Sequence, residues 1–114
     1  MTKEELHAAA MALPGTTLDL KWGDDHCYCV GGKMFAATDG AYTNLSFKAS
    51  DIAFEALTTT GRAEPAKYLA RAKWVSLNDL RSQDPAEVAE WVKSAHGIVA
   101  SKLPKKQRAE LGIA

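Results

Sequence analysis

Apolar positions at the start of the chain recur at helical spacing. Leu6, Ala9, Ala10 and Leu13 fall on one stripe. Thr2 and Glu5 have capping-box spacing and predict a helix from that point; Pro14-Gly15 ends it. From Thr16 to Lys48 the pattern shortens toward alternation. Thr17, Leu18, Leu20 and Trp22 predict one strand, and Gly23-Asp24-Asp25 a turn. His26 to Val30 predicts a second strand, Gly31-Gly32 a two-residue hairpin turn, and Lys33 to Thr38 a third strand. Asp39-Gly40 is another turn signal. Tyr42 to Lys48 follows as a fourth strand, with Tyr42, Asn44, Ser46 and Lys48 on one face and Thr43, Leu45 and Phe47 on the other. Connections this short require antiparallel neighbours, hence a meander.

Beyond the meander, Ser50 caps a second predicted helix carrying Ile52, Ala53, Phe54 and Leu57, and Gly61 stops it. Residues 62–73 are irregular, and Lys73 to Leu77 predicts a fifth strand around Trp74 and Val75. The third helix has the clearest start: Asp84 as cap, Pro85 at the first position and Glu87 completing a box. Val88, Trp91, Val92, Ala95 and Val99 form its inward stripe, and Leu103-Pro104 ends it. The tail from Lys105 to Leu111 has room for one more turn. The whole chain, 1–114, therefore reads as a single α+β domain: an antiparallel sheet of about five strands with helices packed on one face.

Composition narrows the class. Apolar residues are 46% and charged residues 25% of the 114, ordinary for a globular domain and unlike a disordered chain. No apolar run approaches the roughly 18 residues a bilayer needs. The start, Met1-Thr2-Lys3-Glu4-Glu5, has no apolar leader, so a cytoplasmic location is expected. Formal charge is zero but uneven. Residues 1–60 hold four bases (Lys3, Lys21, Lys33, Lys48) against eight acids, and residues 61–114 ten bases against six acids. A neutral protein can thus still present one basic face.

Candidate chemistry is sparse. Cys27 and Cys29 stand too close for an unstrained disulfide and read as free thiols. With His26 on the opposite strand face, they offer two metal ligands where a structural zinc takes four. No metal and no cofactor is expected. Neither cysteine has a base within reach in the sequence pattern, so nucleophilic catalysis ranks last. Asp24-Asp25 fits a turn better than a carboxylate pair. Gly31-Gly32-Lys33 lacks the Ser or Thr and the following helix of a phosphate loop. Trp91 reads as core, and Trp22 and Trp74 favour core over a stacking platform. The remaining signal is basic: Arg62, Lys67, Arg71 and Lys73 in one segment, and Lys102, Lys105, Lys106 and Arg108 in another.

Six segments together resemble the MmcQ/YjbR family of small bacterial proteins: Leu13-Pro14-Gly15, Trp22-Gly23, Val30 to Ala36, Pro65 to Ala70, Trp74-Val75 and Leu103 to Lys106. They occur in the family's order and span nearly the whole chain. The resemblance implies a frataxin-like (CyaY-like) fold and a DNA-binding role through a double-wing motif, with no catalytic residues to carry over. Lys33, Lys67, Lys105 and Lys106 are the matching basic positions. Lys73 stands where members often have a histidine. With only Glu4 and Glu5 as acids, the first helix lacks the acidic ridge an iron role would need.

The leading expectation is a non-catalytic DNA-binding protein. Lys67, Arg71, Lys73, Lys105, Lys106 and Arg108 would contact phosphates, with Lys33 at the hairpin tip as a wing. The alternative is a protein- or small-ligand-binding adaptor, with residues 62–73 forming one side of a groove against the sheet near Tyr68 and Trp74.

Overall fold

The computed structural model describes residues 1–21, 23–67 and 69–113. Helix α1 (Lys3–Met11) starts as its cap dictates: the Thr2 hydroxyl accepts from the Glu5 N–H, and the Glu5 carboxylate accepts from the Thr2 N–H. Four strands follow: β1 (Thr16–Lys21), β2 (Asp25–Val30), β3 (Lys33–Thr38) and β4 (Leu45–Lys48). Both glycines of the β2–β3 hairpin have positive φ, 59° and 79°, as a primed hairpin turn demands. Then come α2 (Asp51–Thr59), β5 (Glu64–Pro65), β6 (Trp74–Leu77), α3 (Pro85–Ser101) and α4 (Lys105–Glu110).

The sheet has six strands in the order β1-β2-β3-β4-β6-β5, every pair antiparallel. The sixth is β5, a two-residue strand within the segment expected to be irregular. One sheet face packs on α1 and α3. Leu6, Tyr28, Val30, Phe35, Phe47, Val75, Val88 and Val92 form the centre of that core.

Three local differences from the sequence pattern have clear causes. Strand β4 begins at Leu45, not Tyr42, because the Asp39 carboxylate accepts from the Thr43 and Asn44 N–H groups and holds a turn there. Tyr42, with φ 56°, then swings into the core instead of joining Ser46 and Lys48. In α3 the Asp84 cap accepts from the Ala86 N–H, while Glu87 leaves the box to pair with Arg62. Trp91 is half-buried and stacks on Phe47, and the buried stripe continues through His96, whose Nε2 donates to the Pro14 carbonyl at 2.7 Å.

The other sheet face has a smaller apolar layer. Cys27, Cys29, Ala66 and Trp74 are buried among the described residues yet lie outside the main core. Register explains why. Cys27 faces Ala37 and Cys29 faces Met34, with Phe35 as the extra residue of a bulge. Ala37 faces Ser46, and Lys48 faces Trp74. Directly paired residues share a face, so Cys27, Cys29, Met34, Ala37, Ser46, Lys48 and Trp74 all look away from α1 and α3.

Candidate nucleic-acid interface

Lys67 and Leu69, between β5 and β6, border this second face. The Ala66 N–H donates to the Trp74 carbonyl, and the Trp74 N–H donates to the Leu69 carbonyl. A cleft of about 550 Å³ remains between this segment and the sheet. Met34, Ala37, Leu69 and Trp74 supply its apolar lining, and Asp25, Ser46 and Lys67 its polar groups. The mixed patch expected around Trp74 is therefore present; Tyr68, named with it, and Trp22 lie outside the described residues. Burial pushes the Cys29 thiol up to about 11 and raises Cys27 as well, so both are neutral thiols at physiological pH.

A second cavity of about 490 Å³ adjoins the cleft, sharing Met34 and Trp74 as wall. Three lysines line it, Lys33 from the β2–β3 hairpin, Lys48 from the end of β4 and Lys102 from the end of α3, together with apolar Ala72 and Val99. Lys48 Nζ donates to the Ala72 carbonyl at the cavity edge. Burial lowers the Lys48 pKa first, and the positive charges of Lys102 and Lys73 lower it further against the opposing pull of Asp51. Three lysines distant in sequence thus line one cavity at the end of the sheet, and Lys73 is near enough for its charge to act on Lys48. Lys73 is itself at φ 63°, with its Nζ 4.9 Å from the Phe54 ring centroid.

The sequence-predicted residues divide accordingly. Lys33 and Lys73 belong to this cluster. Lys67 lines the cleft, and Arg71 is exposed in a short 3₁₀ turn, Ala70–Ala72. Lys105 and Arg108 line a separate hollow on α4, with Lys106 exposed beside them. Helix α4 is tied to the same hairpin, since Gln107 Nε2 donates to the Gly31 carbonyl at 3.3 Å. Arg62 is spent elsewhere: it pairs with Glu87, and its guanidinium sits 5.2 Å from the Trp91 ring centroid. Lys48 and Lys102 were not among the predicted contacts. Their signals were the polar face of the fourth strand and the basic segment at 102–108.

Among the described residues, no three metal-ligating side chains cluster, and no helix is long and apolar enough to cross a membrane. Fold and site together define a small α+β domain: a helix-backed antiparallel sheet whose other face holds a cleft beside a lysine-lined cavity. The YjbR family model matches residues 11–98, and the chain belongs to that family. Its structure is similar to the crystal structure of Deinococcus radiodurans protein DR2400, which carries domain DUF419. The two are 22% identical with a TM-score of 0.87, and the match covers 99% of this chain and 89% of that one. At that identity the likeness is one of fold. No curated protein matches.

Proposed function

We propose that this protein is a non-catalytic nucleic-acid-binding module that grips the phosphate backbone of DNA at the lysine-lined end of its sheet. The observation that carries this reading is the shared cavity of Lys33, Lys48 and Lys102 with Lys73 beside it. Like charges brought together by folding repel one another, and a polyanion relieves that repulsion while releasing its own counterions. The salt bridge found among the described residues, Arg62–Glu87, uses none of these lysines. Arg71, exposed in the Ala70–Ala72 turn, and Lys105, Lys106 and Arg108 around the separate hollow on α4 are the further basic positions of this reading. A cytoplasmic setting belongs to the same proposal, and the free thiols Cys27 and Cys29 support it.

Fluorescence anisotropy with a labelled oligonucleotide at several salt concentrations tests it. Four phosphate contacts predict a log–log salt slope of about −3 to −4. Lys102→Gln, at an exposed position, should weaken binding and reduce the slope magnitude by about one. Absence of binding at low salt, or a slope near zero, would refute the reading.

A further inference from the structure

We infer that the cleft beside the lysines holds an unstacked nucleobase, so that the protein prefers single-stranded DNA; this rests on the backbone-binding reading above. A site for phosphates alone needs cations and no cleft. Here Trp74 and Met34 form a wall common to the cationic cavity and the apolar cleft. The two spaces therefore share a wall, the neighbourhood that a base and its phosphate require.

The cleft suits the base in size and chemistry. Its volume, about 550 Å³, lies within the range of small-molecule sites. Met34, Ala37, Leu69 and Trp74 offer apolar and aromatic surface to a flat ring, and base–aromatic stacking tolerates any sequence. Asp25, Ser46 and Lys67 are the polar groups at hand. A carboxylate accepts from the exocyclic amino groups of adenine, cytosine or guanine, and a hydroxyl serves either donor or acceptor edges. In a duplex those ring faces and edges are stacked and paired, so only a single strand presents them without an unpairing cost.

The test compares three 5′-labelled ligands of about twelve nucleotides at low salt: a single strand, its blunt duplex, and the single strand with abasic sites and the same phosphates. The single strand should bind about tenfold or more tightly than the other two. Ala37→Leu fills the cleft from a half-buried wall position. It should bring the single strand to the abasic level and leave the abasic ligand unchanged. Lys102→Gln should weaken all three. Equal, salt-dependent binding of all three by the wild type would overturn the base pocket while leaving backbone binding intact. A single-strand preference untouched by Ala37→Leu would put the base elsewhere and also overturn it. Binding of none of the three would remove both readings.

Discussion

The hydroxyls of Tyr28 and Tyr42 lie 2.8 Å apart inside the core, and each is also bonded to a histidine Nδ1, Tyr28 to His7 at 3.0 Å and Tyr42 to His26 at 2.9 Å. Three bonds need three hydrogens, and two tyrosines supply two. At least one of the histidines must therefore carry its proton on Nδ1. Burial, reinforced by Tyr42, holds the Tyr28 phenol far above the ordinary tyrosine range. Tyr28→Phe would strand Tyr42 and His7 without their shared partner and should cost about 1–3 kcal/mol by urea denaturation. Tyr28→Phe with Tyr42→Phe should cost less than the sum of the single changes, because the partners leave together. Strict additivity would show that the hydroxyls do not act as a unit.

Gly31 and Gly32 differ in what surrounds them, and so should their alanine variants. A Cβ on Gly31 would come within 2.7 Å of Leu103 Cδ1 and 2.9 Å of Gln107 Nε2, whereas one on Gly32 meets open space. Both have positive φ, which costs an L-residue about 1–2 kcal/mol. Gly32→Ala should lose about that much. Gly31→Ala should lose more and also loosen α4 from the hairpin, visible as faster amide exchange in residues 105–110. Equal stabilities of the two variants would contradict the close approach.

Much of this fold was legible because local chemistry and tertiary packing agree. The capping box at Thr2 and Glu5, the glycine hairpin and the alternation of Leu45 and Phe47 with Ser46 and Lys48 each hold in the structure. The pattern failed where a side chain overrides the local period. At Tyr42 the Asp39 carboxylate holds a turn that no alternation rule anticipates. Strand β5 is too short to leave a pattern and exists only because β6 offers it an edge.

The candidate site was less legible, for a different reason. Membership of Lys48 and Lys102 in one cavity depends on pairing β4 with β6 and laying α3 over the sheet, and no spacing rule encodes that. The reverse holds for Arg62, which looks basic in sequence but meets Glu87, 25 positions away, once folded. Trp74 was weighed as core or as platform; it is a buried residue that also walls two cavities.

That pairing separates Arg62 from the lysines in a measurable way. The Glu87 carboxylate lies below its usual pKa through its hydrogen bond to Arg62, and the Arg62 guanidinium is raised by the same contact. Both groups are exposed, so the pair should matter little to stability. What it does contribute is present above the ordinary glutamate pKa and fades as acid protonates Glu87. Arg62→Gln should leave the oligonucleotide salt slope at its wild-type value, in contrast to Lys102→Gln. An equal loss of slope in both variants would mean that Arg62 exchanges Glu87 for phosphate on binding.

The thiols of the second face should make stability fall in alkaline solution. An unfolded cysteine ionises near pH 8.5, whereas burial delays Cys29 to about 11 and raises Cys27 too. Below the unfolded value both states keep the proton, and these groups add no pH dependence. Between about 8.5 and 11 the unfolded chain has lost its proton while the folded chain retains it. Stability must then fall as pH rises, by up to about 1.4 kcal/mol per pH unit for Cys29. Urea midpoints taken from pH 7 to 10 should show this descent, and Cys29→Ala should make it shallower, leaving the share of Cys27, whatever its absolute cost. The same burial predicts slow modification of the native protein by a thiol reagent at neutral pH, accelerating once urea unfolds the chain. Modification at the speed of a free thiol, with a flat alkaline profile, would mean that the second face is open to solvent down to the sheet.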